Sequence, residues 1–208
     1  MSYRTIRSML FWAALLVVPC VSGTISADDE YQKTIYVRVG DLAPNIQLQD
    51  DQGGSWKLSQ HVGKKYLVLF FYLGDFMPLC TKQAVTYRDT LRKLEALGAE
   101  VIGISGDSAA NHAKFKEANR LNFTLLADVD GEVTKAYGVA ISGPSTTKVK
   151  NVNGKTTYYS RNITASRWTW IIDKEGRVIY KNTSPQYTED AKQVLAFLEK
   201  TVAEAKRK

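Results

Sequence analysis

The chain has 208 residues, 44% of them hydrophobic and 24% charged, with a formal net charge of +7. That balance belongs to a globular protein and excludes wholesale disorder. It also speaks against nucleic-acid binding, which needs basic residues gathered on one face, whereas here only Lys206-Arg207-Lys208 forms a run.

The chain opens with Arg4 and Arg7, an apolar run from Met9 to Val18, and small residues ending at Ser26-Ala27. Positive charge, a short apolar run and small residues read as a secretory signal peptide over residues 1–27. The boundary falls near Ala27, with Gly23 as the alternative. The run is shorter than the roughly 20 apolar residues a membrane span needs, so no stable membrane insertion is expected after signal removal. An uncleaved N-terminal anchor is the alternative. Pro19 disfavours lipid attachment at Cys20. Loss of Arg4 and Arg7, with no acid in the segment, lowers the net charge from +7 to +5. The expected mature protein is exported, to a periplasm or the extracellular space.

A polar lead covers residues 28–38, and one domain follows over 39–208. Thr34 to Val39 alternates as a short strand would. Gly40-Asp41 and Ala43-Pro44-Asn45 are turn chemistry. Ile46 to Leu48 is extended, and Trp56 to Leu58 can pair back on it as a hairpin. Tyr66 to Tyr72 (YLVLFFY) is a continuous apolar and aromatic run, suited to a central strand covered on both faces. Leu73 to Leu79 reads as a loop. From Cys80 the pattern turns helical through Ala84, Tyr87, Leu91, Leu94 and Leu97, with Gly98 as its stop.

Glu100 to Ser105 is the next buried strand. Asp107 or Ser108 caps a helix to about Asn119, with His112 and Phe115 on one side. Asn122 to Ala127 is a strand and Gly131 to Tyr137 a short helix. Residues 140–166 are polar and rich in Thr, Lys, Asn and Gly, and read as an inserted hairpin or loop with Asn153-Gly154 at its tip. Trp168 to Ile172 and Arg177 to Tyr180 are strands around the turn 173–176. Thr188 caps a last helix, with Glu189 and Asp190 in its first turn and Ala191, Val194, Leu195, Leu198 and Val202 on its apolar face. Strands alternating with helices predict an α/β fold, a central mixed sheet flanked by helices.

The two cysteines are the most telling residues. Cys20 leaves with the signal peptide, so Cys80 has no partner for a disulfide within the mature chain. A leftover cysteine in an exported protein suggests a reactive thiol or intermolecular pairing, against a buried, inert residue. Its position lifts the reactive reading above the inert one. Cys80 stands where a buried strand and a loop hand over to a helix, and a helix N-terminus carries spare N–H donors and partial positive charge. Both favour a thiolate, the nucleophilic form.

Several blocks resemble the peroxiredoxins, the alkyl hydroperoxide reductase and thiol-specific antioxidant family. Gly40-Asp41-x-Ala43-Pro44-x-Ile46-x-Leu48 is similar to their opening, and Phe71 to Thr81 (FYLGDFMPLCT) to their active-site loop. Tyr87-Arg88-Asp89 follows as in the bacterioferritin-comigratory subgroup. Val101 to Asp107, Phe123 to Asp128, Ala136 to Val139 and Arg167 to Asp173 match in order. The resemblance runs from about Val39 to the end. It implies the thioredoxin-like fold, peroxiredoxin type, with residues 140–166 as an insert.

Carried over residue by residue, the resemblance makes Cys80 the peroxidatic cysteine and Arg167 the arginine that holds the thiolate and donates to a peroxide oxygen. Leu73, Phe76 and Pro78 would wall the pocket. Three positions depart from the family pattern. Leu73 stands for a proline, Met77 for a threonine or serine, and Gln83 for a glutamate. A thioether cannot replace a hydroxyl's hydrogen bonds, and glutamine brings no charge to orient the arginine. Val85 occupies the usual place of a second, resolving cysteine. The implied activity is thiol-dependent reduction of hydrogen peroxide or a small hydroperoxide. Cys80 would then be restored by an external thiol or a thioredoxin-like reductant. A binding or scaffold module with an eroded site, and slow thiol–disulfide exchange, are the alternatives.

No cofactor is implied. His61 and His112 lack metal-ligand spacing, and His112 reads as a packing or surface residue. No Cys-x-x-Cys pair is present. Trp168 and Trp170 alternate on a strand as core residues do. Met77 is an oxidisable side chain near the site. Asn122, Asn162 and Asn182 fit the glycosylation pattern.

Overall fold

The computed structural model describes residues 37–150 and 153–207. The expected leader, and the polar lead up to residue 36, lie outside them. Of the strand expected over Thr34 to Val39, the described part, Val37 to Val39, is irregular chain entering a turn. The first regular pairing comes later, where β1 (Gln47–Asp50) folds back on β2 (Ser55–Lys57) as the expected hairpin.

β3 (Tyr66–Phe71) carries the apolar run, and the next helix, α1 (Pro78–Ala96), starts two residues before Cys80 rather than at it. Proline suits a first helical position because its missing N–H would find no helical partner there, so Pro78 was the start signal. β4 (Ala99–Ser105), α2 (Ala109–Asn119), β5 (Thr124–Ala127) and the short α3 (Glu132–Ala136) follow as expected. Ser108 is the cap of α2, accepting from the Asn111 amide at 3.3 Å. Asp107 is not a cap; it is buried and faces the site.

The insert forms two small ladders. β6 (Ile141–Ser142) pairs with β9 (Thr164–Ala165), and β7 (Ser145–Lys150) pairs with β8 (Thr156–Arg161). β10 (Trp168–Ile172) and β11 (Val178–Asn182) return to the main sheet. α4 (Asp190–Ala205) closes the described chain. Its cap position is Glu189, with no side-chain cap, so Thr188 does not take the role its sequence position suggested.

The main sheet has seven strands in the order β11-β10-β3-β4-β5-β1-β2. β3, β4 and β5 run parallel, and the outer pairings are antiparallel. Side chains alternate across a strand, so β3 feeds two cores. Val68 and Phe70 enter one with Ala84, Tyr87, Leu91 and Leu94 of α1, Phe115 of α2, and Val194 and Leu198 of α4. Leu67, Leu69 and Phe71 enter the other with Ile46, Trp56, Tyr137, Trp170 and Ile172. Each such side chain contributes about 1.5–3 kcal/mol on burial. Cys80 sits in the first core, at the end of β3 where the chain crosses to α1.

His112 is neither simple packing nor surface. It is fully buried, with Nδ1 2.9 Å from Asp75 and Nε2 3.1 Å from the Leu126 carbonyl. Burial alone lowers its pKa, but the Asp75 carboxylate and its hydrogen bond outweigh that and raise it above 6.5. A raised histidine contributes stability that is full below about pH 6.5 and fades as pH climbs through the folded value. Asp75 is itself raised, chiefly by burial, which gives a loss of the same sign as pH rises. The melting temperature is therefore expected to fall as pH rises above about 6.5, and His112→Gln to flatten that fall. Equal slopes in both proteins would contradict the assignment.

Candidate functional site

The site is assembled at the start of α1. Met77 is the cap residue, Pro78 and Leu79 follow, and Cys80 is the third helical residue. Met77 offers no side-chain cap bond, and no acid lies in the first turn. The first amides of a helix have no intrahelical acceptor. The positive end of the dipole is thus left uncompensated beside the sulfur, which favours negative charge there.

A second positive group comes from the strand beside β3. Arg167 precedes β10, and its Nη2 lies 3.5 Å from Cys80 Sγ. Its Nη1 donates to Gln83 Oε1. Gln83 is buried one helical turn after Cys80, so its amide reaches the same guanidinium. The Nε2 of Gln83 donates onward to Asp190 Oδ2 at 2.8 Å.

The sequence reading put Asp190 in the first turn of the last helix but gave it no part in this site. It sits at the start of α4, fully buried. Its Oδ2 also accepts from Tyr87 Oη at 2.7 Å and Thr169 Oγ1 at 2.8 Å. Burial raises its pKa, opposed by the hydrogen bonds from Tyr87, Gln83 and Thr169 and by the charge of Arg167. Its Oδ1 is buried with no hydrogen-bond partner. A relay therefore runs from Asp190 through Gln83 and Arg167 to the sulfur, with a neutral amide between the two charged groups.

The loop before the helix covers the sulfur. Cys80 is only 1% exposed. Leu73, Phe76 and Met77 are half-buried and pack against the same core, while Pro78 is exposed. Phe76 adopts a left-handed backbone, φ 60°. For a bulky side chain that costs on the order of 1–3 kcal/mol and persists only where surroundings enforce it. The enforcing contacts are a stack of Phe76 on Tyr159, ring centroids 4.0 Å apart, and an edge contact with Phe115 at 5.2 Å.

Tyr159 lies on the insert, and so does Arg161, a second residue the sequence did not disclose. Arg161 is 4% exposed and pairs with Asp107 at 3.0 Å. Its Nη2 donates to the Asp75 carbonyl at 3.4 Å, and its Nη1 reaches Met77 Sδ at 3.9 Å. The structure thus brings together Cys80, Arg167 and Gln83, with Leu73, Phe76 and Met77 over them. Cys80 is the free cysteine of the described residues. Among those residues no cluster of metal-ligating side chains occurs, and no helix is long and apolar enough to cross a membrane.

Comparison with known proteins shows the family. Residues 39–181 match the model of the AhpC/TSA family. Peroxiredoxin Bcp of Bacillus subtilis is 38% identical over 143 residues, covering 69% of this chain and 83% of that protein. A chloroplastic peroxiredoxin Q of Oryza sativa subsp. japonica is 40% identical over 144 residues, again 69% of this chain, but the chain spans only 58% of that relative's length. Among solved structures, peroxidoxin BcpB from Mycobacterium tuberculosis superposes with a TM-score of 0.66 at 30% identity, over 79% of this chain and 97% of that one.

Proposed function

This chain belongs to the AhpC/TSA family, as a bacterioferritin-comigratory-type peroxiredoxin, and from that premise we propose that it is a thiol-dependent peroxidase working through Cys80 alone. The thiolate of Cys80 attacks the terminal oxygen of a hydroperoxide. The O–O bond breaks, Cys80 becomes a sulfenic acid, and the departing oxygen takes a proton to leave as water or an alcohol. Arg167 stabilises negative charge on the sulfur and on the departing oxygen. Gln83, accepting from Nη1, holds the guanidinium beside the sulfur.

The observation that carries this reading is the 3.5 Å approach of Arg167 Nη2 to a sulfur in the first turn of a helix. Met77 supplies no hydroxyl to the peroxide, so backbone amides and Arg167 supply the donors. A lost donor of this kind costs a hundredfold or more, roughly, in rate, which sets this site below one that retains threonine.

Val85 stands in the place of a resolving cysteine, so the sulfenic acid is returned by outside thiols. The first forms a mixed disulfide with Cys80 and releases water. The second displaces Cys80 as a thiolate and leaves as the oxidised disulfide. We further propose that residues 1–27 direct the chain out of the compartment of its synthesis, to a periplasm or the extracellular space. The chloroplast address in the names of plant relatives makes an organelle the other destination.

The test is stoichiometric. The purified chain without reductant should consume one peroxide per molecule and stop, with a sulfenic acid trappable at Cys80. Adding a small thiol should restore turnover. Consumption no faster than that of a free thiol would instead leave the fold as a binding module.

A further inference from the structure

The inserted hairpin presents an unusual inner face. Ser145 pairs across the ladder with Arg161, and Thr147 with Tyr159. Along β7 the half-buried residues alternate with exposed ones, so this polar face is the covered one. It is covered because it wraps a guanidinium. Arg161 Nη1 donates to Ser145 Oγ at 2.7 Å and Nη2 to Thr147 Oγ1 at 2.6 Å. Nε donates to Asp107 Oδ2, which also accepts from the Asp75 amide at 2.9 Å and from Ser105 Oγ at 2.9 Å. All three guanidinium nitrogens are engaged, and two of them reach the loop that precedes Cys80.

The fit is close. A β-carbon on Gly74 would collide with the Arg161 guanidinium, so the loop has a glycine where the arginine crosses it. Beside that crossing, Tyr159 stacks on Phe76, whose left-handed backbone needs an external restraint. Hairpin and loop are thus joined by a carbonyl contact, a thioether contact and a ring stack, and both are tied to buried Asp107, which pairs with Arg161 and accepts from the Asp75 amide.

We propose that the β7–β8 hairpin is a lock on the peroxide-reacting loop, with Arg161 as its positioning residue: the guanidinium pins Asp75 and Met77 while Tyr159 holds Phe76 over the sulfur. This rests on the peroxidase reading for its consequence to rate, but not for its geometry. With the lock closed, Cys80 meets a slim hydroperoxide in a fixed frame and excludes larger reagents. With it open, the frame is lost and the sulfur is uncovered.

The two effects have opposite signs, which separates positioning from mere stability. In the full-length chain, Arg161→Met should slow the reaction of Cys80 with hydrogen peroxide by about tenfold or more, since small misplacements in a reacting frame are costly. The same variant should speed alkylation by a bulky maleimide by about tenfold, read at Cys80 by peptide mass spectrometry. Arg161→Lys keeps the Asp107 pair but cannot serve the other partners at once, and should fall between. Tyr159→Ala, which leaves the buried ion pair in place, should move both rates in the same directions if Arg161→Met does not fold.

Val178→Ala, a cavity in the opposite core, should lower the melting temperature without changing either rate at Cys80. Unchanged alkylation in Arg161→Lys and Tyr159→Ala, or a change matched by Val178→Ala, would overturn the lock. A wild-type chain inert to peroxide but showing the alkylation pattern would instead overturn the peroxidase reading and leave the lock standing.

Discussion

Cys80→Ser is expected to end peroxide consumption, and Arg167→Met to slow the second-order reaction of the remaining thiol by about two to three orders of magnitude. A serine hydroxyl stays protonated and is a weak nucleophile without a base to activate it, and no histidine among the described residues hydrogen-bonds Cys80. His112, the buried one, is committed to Asp75 and the Leu126 carbonyl. In Arg167→Met the side chain keeps comparable length and packing, while the donor 3.5 Å from sulfur and the bond to Gln83 are lost. The loss falls on charge that develops between sulfur and peroxide, where a fixed donor in a site screened from water counts most. Arg167→Lys separates charge from geometry. An ammonium can face the sulfur or Gln83, but its compact head does not span both as the planar fork does. An intermediate rate is expected, measured by stopped-flow competition against a reference peroxide scavenger. Wild-type rates in Arg167→Met would remove the guanidinium from the mechanism.

Much of this arrangement was legible from residues alone. The run over Tyr66 to Phe71 had to be a strand buried on both faces, and five of its six residues are buried. The three- and four-residue spacing of Ala84, Tyr87, Leu91 and Leu94 had to be a helix face, and all four enter the core. Cys80 at the junction came from those patterns and from the family resemblance, and Arg167 before a late strand came from the resemblance alone. The illegible parts share one physical cause. Arg161 and Asp190 are buried charges whose partners are remote in the chain. Asp190 is bonded to Tyr87, 103 residues away, and to Gln83, 107 away. In the sequence it is an acid at the start of a helix, which a favourable dipole explains fully. Arg161 ends a polar alternating strand, and arginine is ordinarily exposed. Nothing local to β7 or β8 says that their serine and threonine hydroxyls face a guanidinium rather than water. Gly74 was the one available signal: a glycine inside the active-site loop with no turn requirement marks a close approach.

Asp190→Ala is expected to cost stability and rate together. The substitution strands Gln83 Nε2, Tyr87 Oη and Thr169 Oγ1, all buried and all donating to one oxygen. An unpaired buried donor costs about 1–3 kcal/mol, and partial relaxation around the void leaves an expected loss of about 3–5 kcal/mol, read from urea midpoints. The rate should drop at least about tenfold because Gln83, freed of its anchor, no longer fixes Arg167 beside the sulfur. Asp190→Asn keeps an acceptor oxygen at nearly the same volume and removes the charge. It should retain most of the stability, and it should change the acid limb of the stability profile. Burial raises the Asp190 carboxyl above its ordinary 3.8, so the folded state binds that proton more tightly than the unfolded chain. Its share of stability is therefore greatest below about pH 3.8 and declines as pH rises through the folded value; asparagine has no such decline. The family pattern puts a carboxylate directly against the arginine, at the position of Gln83. Here the carboxylate stands one amide further back, and its hold on the sulfur passes through hydrogen-bond direction more than through charge. That ordering requires Asp190→Asn to preserve more of the peroxide rate than Asp190→Ala, and equal losses in the two would place the effect in the charge instead.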